Sequence, residues 1–178
     1  EQFHATFAVY LSALDCDPPA LNAACQVGHS TLRVGAMDRL DRAATASEIT
    51  AMRRELETSL DSGAIGMSTG LYYPPAKAAP SEEVIALGET IRAFGGIHTT
   101  HMRDEAAHVV NSVNETIEIG KAAGIPVVIS HHKASGTANH GLTQDTLKLI
   151  DEARKTQKLS LDVYPYVAAS TMLDANRI

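Results

Sequence analysis

Five of the eight histidines fall between His98 and His132, and two close short apolar runs. The runs are Gly96-Ile97-His98-Thr99-Thr100-His101 and Ile125-Pro126-Val127-Val128-Ile129-Ser130-His131-His132-Lys133. Neutral imidazole is a common ligand for zinc-like divalent ions. If the runs are neighbouring parallel strands, ~4.8 Å apart, imidazoles at their ends can reach one ion at ~2.1 Å each. The competing reading is two unrelated loop histidines. Spacing alone leaves the two readings even, because no H-x-H or H-E-x-x-H pattern is present.

Other residues near these ends carry weaker signals. Lys133 could hold a carboxylate as a compact cation, or be a solvated surface lysine. Arg103 is expected to pair with Asp104 or Glu105 as a surface salt bridge. Tyr72 and Tyr73, before Pro74-Pro75, read as an ordered loop that either packs or walls a substrate. His29 could line a site or be a hydrogen-bonded structural histidine. Cys25, read as lying inside a strand, is most simply a small buried apolar residue. Gly63, Gly66 and Gly70 do not form G-x-G-x-x-G, and no helix is expected directly after Gly70, so a dinucleotide site is not supported.

The elements that must position these groups alternate. Five short apolar runs read as buried strands: residues 21–28, 64–68, 96–101, 125–130 and 159–164. Amphipathic stretches lie between them. Thr45-Ala46-Ser47-Glu48 has capping-box spacing ahead of Ile49, Met52, Leu56 and Leu60. Val84, Leu87, Gly88 and Ile91 predict a second helix, Val110, Val113 and Ile117 a third ending near Gly124, and Thr146, Leu147, Ile150 and Ala153 a fourth. Strand–helix alternation predicts an α/β fold with parallel strands. That leaves a small doubly wound sheet or part of a TIM-type barrel, because a whole barrel has eight strands and ~250 residues. In either fold, chemistry gathers at the C-terminal ends of the strands, where these titratable residues lie.

Composition narrows the function classes. The chain has 178 residues, 44% of them hydrophobic and 20% charged, which argues against disorder. A net charge of −6 leaves no basic surplus for nucleic acid. No run of 18 apolar residues occurs, so no membrane helix is expected. Cys16 and Cys25, without a C-x-x-C pair, fit a reduced, cytoplasmic setting.

Five segments together resemble one family: 27–33 (VGHSTLR), 63–75 (GAIGMSTGLYYPP), 100–105 (THMRDE), 129–133 (ISHHK) and 162–166 (DVYPY). They resemble the D-aminoacylases, the N-acyl-D-amino-acid deacylases of the amidohydrolase superfamily, along essentially the whole chain. The resemblance implies a zinc hydrolase on a (β/α)₈ barrel, with residues 1–178 as about strands 3 to 7 and a small β-domain elsewhere. It implies zinc on His101 and His131, and a substrate carboxylate held by Lys133, Tyr164 and Ser170, with Tyr73 near the scissile acyl group. It assigns no catalytic residue to this chain. The strand 1 H-x-H pair, the strand 2 cysteine and the strand 8 aspartate that acts as general base all have no counterpart here, and neither Cys25 nor Asp162 takes those roles. The implied substrate is a small N-acyl-D-amino acid. A dihydroorotase- or hydantoinase-like enzyme and a non-catalytic α/β binding module are the alternatives. The segment alone is expected to be inactive, and its two open strand edges to favour self-association.

Overall fold

The structure, a computed structural model, describes residues 4–172. Helix α1 (Phe7–Cys16) precedes strand β1 (Val27–Gly28), α2 (His29–Ala36), α3 (Ala46–Asp61) and β2 (Gly66–Gly70). A short helix α4 (Pro74–Lys77), then α5 (Ser81–Ala93), β3 (Ile97–His101), α6 (Val109–Ala123), β4 (Val127–Ile129), α7 (Leu142–Ala153) and β5 (Leu159–Leu161) complete it. The five strands are all parallel and lie in the order 1-2-3-4-5. A doubly wound sheet reverses its order at a switch point; this one never does. Right-handed crossovers then put the connecting helices on one face, and α2–α3, α3–α5, α5–α6 and α6–α7 pack side by side there. The result is an arc of a (β/α) barrel.

Local chemistry explains the helices. Thr45 and Glu48 form the expected capping box at the start of α3. Met52, Leu56 and Leu60 then bury one face of that helix, each side chain worth about 1.5–3 kcal/mol. Gly124, at φ +68°, closes α6 in the left-handed conformation that favours glycine. Gly66 opens β2 at φ +152°, and a Cβ there would lie 1.9 Å from the Ile97 carbonyl oxygen. Only glycine lets β2 and β3 come together at that point.

Three local expectations change. The first strand is only Val27–Gly28, and Cys25 precedes it, although its carbonyl still accepts from the Ile65 amide at 2.9 Å. Helices α1 and α2 were not expected; α2 starts directly on the strand end, at His29. Arg103 does not pair with Asp104 or Glu105. It reaches Glu115 on α6 at 2.9 Å and the carbonyls of Lys77 and Ala79. The loop before α5 leaves those carbonyls without helical partners, so they compete for the guanidinium.

The register sets two faces. Met67, His98, Val127 and Leu159 are neighbours across the sheet and are buried under the helices. Ser68, Thr99, Val128 and Ser160 share the opposite face, where Thr99 donates to Gln26. His98 is thus a histidine of the packed layer, 1% exposed, with Nε2 2.9 Å from Thr69 Oγ1. Burial, and secondarily His29, pushes its pKa from 6.5 down to about 4. The folded state therefore keeps His98 neutral where the unfolded chain protonates it. Stability is intact above pH 6.5 and falls as the pH drops toward 4, by about 3 kcal/mol from this residue. His132, also lowered by burial, acts in the same direction. Urea unfolding of the full-length protein at pH 7, 5.5 and 4 should show this loss; a flat profile would contradict it.

Candidate metal centre

The ends of β3 and β4 bring the two expected histidines together. Gly70 pairs with His101 in the register of β2 and β3, so His101 is the last residue of its strand. Beyond β4, the Ser130 amide still donates to Thr100, and the chain then bends over β5. His131 donates its amide to Asp162 Oδ1 at 2.7 Å, and His132 donates to the Asp162 carbonyl at 2.8 Å. His131 has φ +43°, the one non-glycine residue with positive φ among the described residues. That strained turn separates the two neighbours. His131 faces the strand ends, whereas His132 is buried with Nε2 2.9 Å from Thr146 of α7.

His101 Nδ1 and His131 Nε2 lie 3.0 Å apart. Two ring nitrogens at that distance share either a proton or an ion, and both are within reach of one ion at ~2.1 Å. Burial depresses the His101 pKa; Glu105 opposes this, while His131 and Lys133 add to it. A neutral ring is the ligating form. His101, Glu105 and His131 are the group of three ligand-type side chains whose atoms lie within 4.8 Å of one another among the described residues. The two imidazoles suit zinc, and the Glu105 carboxylate stands beside them.

Glu105 and Lys133 surround the outer edge of His131. Glu105 Oε1 is 2.9 Å from His131 Nδ1. Lys133 Nζ donates to Glu105 Oε2 and to the His131 carbonyl at 2.8 Å, and lies 3.0 Å from His131 Nδ1. It also sits 5.6 Å above the Tyr164 ring. Lys133 is therefore not a solvated surface lysine.

A cleft of about 530 Å³ opens over this group, and His101, His131, Lys133, Tyr73, Tyr164 and Ser170 all line it. The Tyr73 ring packs 4.8 Å from that of His101, and its hydroxyl lies 3.3 Å from Thr171 Oγ1. A cavity of about 760 Å³ beside α1 and α2 has no such ligating group among the described residues.

Two guanidiniums brace the segment that carries the tyrosines. Arg103 holds the carbonyls of Lys77 and Ala79. Arg33, fully buried, donates to the carbonyls of Pro75, Leu40 and Arg42 and to Glu83 Oε1. Glu83 also meets His29 Nε2 at 2.9 Å and the Ala44 amide at 3.0 Å. Burial alone raises the Glu83 pKa; the bonds from His29, Arg33 and Ala44 override it and hold it at about 2. His29 is thus structural.

Sequence reasoning missed Glu105 as a site residue and Glu83 as a core anion. Glu83 had a signal: it falls on the same stripe as Leu87 and Ile91, where an apolar residue is expected. Glu105 had little, since Asp104 beside it was an equal candidate.

No protein-family model matches the chain. The chain is 54% identical over 172 residues to a D-aminoacylase of Alcaligenes xylosoxydans xylosoxydans, covering 97% of itself and 36% of that protein. It is 48% identical over 174 residues to an N-acyl-D-aspartate deacylase of the same organism, covering 97% of itself and 35% of the relative. The chain thus spans about a third of the length of the curated relatives it matches. A crystal structure of a D-aminoacylase superposes with a TM-score of 0.90 at 52% identity, over 93% of this chain and 35% of that one. An N-acyl-D-glutamate deacylase from Bordetella bronchiseptica, complexed with zinc and a phosphonate inhibitor, does so with a TM-score of 0.90 at 39% identity, over 93% and 35%. A hydantoinase from Arthrobacter aurescens, with a TM-score of 0.56 at 14% identity over 90% and 36%, shares the fold alone.

Proposed function

We propose, from the premise that this chain belongs to the D-aminoacylase family of amidohydrolases, that it forms the centre of an enzyme hydrolysing N-acyl-D-amino acids to a D-amino acid and a carboxylate. The observation that carries this reading is the meeting of His101, His131 and Lys133 in one cleft. His101 and His131 fit as zinc ligands, with facing nitrogens 3.0 Å apart. When bound, zinc supplies a Lewis acid for the acyl carbonyl and an activated water. Lys133, with Tyr164 and Ser170, holds the amino-acid carboxylate. That anchor fixes the distance and angle of the scissile bond, and such positioning is worth several kcal/mol of the barrier. Tyr73, whose ring packs at a tilt beside that of His101, walls the acyl side of the cleft.

In this reading residues 1–178 are about strands 3 to 7 of the barrel. The strand 1 H-x-H pair, the strand 2 cysteine, the strand 8 aspartate base and the small β-domain come from the rest of the enzyme. Without them the segment is inactive. The partner is the small-molecule substrate, not nucleic acid. No described helix is long and apolar enough to cross a membrane. The free thiols of Cys16 and Cys25 support a cytoplasmic setting.

The test is zinc content plus hydrolysis of N-acetyl-D-methionine against its L-isomer, on the full-length product that contains this segment. Zinc with D-selective acetate release is expected. Zinc without turnover of either isomer would point to another amidohydrolase substrate, and absence of both would remove the assignment.

A further inference from the structure

We infer that Glu105 is a positioning residue that selects which ring nitrogen of His131 is bare, and that through Lys133 it couples the ion site to the anion anchor. The inference rests on the reading of His101 and His131 as metal ligands.

An ammonium has three donors and no acceptor. Lys133 directs one to Glu105 Oε2, one to the His131 carbonyl and one to His131 Nδ1. With the ammonium donating to it, Nδ1 is bare, and a neutral ring in that arrangement is assigned its proton on Nε2, facing His101 Nδ1 at 3.0 Å. A ring in that tautomer cannot ligate through Nε2. To face an ion shared with His101, His131 must carry its proton on Nδ1.

A carboxylate oxygen lies near enough to accept that proton once ring and carboxylate come into line. Glu105 Oε1 is 2.9 Å from His131 Nδ1, on a side chain only 10% exposed. It has no hydrogen-bond partner among the described residues. A buried carboxylate oxygen without a donor is costly. The gap is explained if the ring turns donor when Nε2 is on the metal, which is the carboxylate–histidine–metal arrangement. Direct ligation by Glu105 is disfavoured, because an ion beside its carboxylate would sit against the Lys133 ammonium.

The proton balance is simple. One proton leaves Nε2 and one arrives on Nδ1 of the same ring, through water, with no net uptake. Lys133 then loses its third acceptor, since Nδ1 has become a donor. The freed N–H turns to the cleft lined by Tyr164 and Ser170, where a carboxylate can accept it. Metal loading and anion binding therefore favour one another, and reciprocally so.

The test uses the full-length protein, with zinc affinity read by competition against a chromogenic chelator and ring tautomers read by long-range ¹H–¹⁵N spectra. His131 should carry its proton on Nε2 without zinc and on Nδ1 with it. Glu105→Gln should bind zinc about 10- to 100-fold more weakly, and Glu105→Asp should recover much of that loss. Lys133→Met should leave zinc affinity unchanged or raise it, because it removes the competitor for Nδ1, and should raise KM. Wild-type zinc affinity in Glu105→Gln, or equal weakening in Lys133→Met, would overturn the inference. A His101→Ala variant that keeps its zinc would instead overturn the ligand reading itself.

Discussion

Replacing His131 by Ala in the full-length protein should cost at least about three orders of magnitude in kcat/KM and most of the bound zinc. In the proposed reading His131 would hold an ion that would supply several kcal/mol of stabilisation where charge develops on the acyl oxygen, and each 1.36 kcal/mol is a factor of ten. The control is its neighbour. His132 is buried against Thr146, with no line to the cleft. Its replacement by Ala should cost about 1–3 kcal/mol of stability and leave zinc stoichiometry intact. Metal analysis and urea unfolding on the two variants separate the outcomes. Equal zinc loss in both would show that the strained turn at His131 does not divide their roles.

The second large effect arises at two residues that do not line the cleft. Glu83→Gln leaves the Arg33 guanidinium fully buried without its counter-charge. Breaking a buried pair from one side typically costs about 3–5 kcal/mol. It also weakens the brace on the Pro75 carbonyl, so Tyr73 should shift and KM should rise. Because both charges go, the double change Glu83→Leu with Arg33→Met should be less damaging than the single one. It should not reach wild type, since the carbonyls of Pro75, Leu40 and Arg42 lose their donor. Denaturant midpoints of the three variants test this. A single variant as stable as wild type would show that Arg33 is held by the carbonyls alone. Acid should expose the same carboxylate. Its stabilisation is present above pH 4.5 and is lost as the pH falls toward about 2, below the window in which His98 acts.

The residues legible from sequence share a physical character. The face of α3, its capping box, the αL end of α6 at Gly124 and the strand-end placement of His101 depend on residues within one or two turns of each other. Periodicity and capping are local, so contiguous residues carry them. The five motifs of the resemblance are local too; they contain Tyr73, Lys133 and Tyr164, with Ser170 four residues beyond the last, and all four line one cleft.

Tertiary structure decided the rest. Strand order 1-2-3-4-5, which separates a barrel arc from a doubly wound sheet, is a property of pairing between distant segments. Arg103 chose Glu115 over its sequence neighbours because two backbone carbonyls converged on the same guanidinium. Which of Asp104 and Glu105 faces the site depends on the path of the loop after β3. Asp104 accepts from the amides of Ala106 and His108, which leaves Glu105 for His131 and Lys133. The choice between His131 and His132 is a matter of backbone. Asp162, beyond β5, takes both their amides and holds His131 at positive φ. One ring then looks into the cleft and the other into the core, and the dipeptide alone contains no force that distinguishes them.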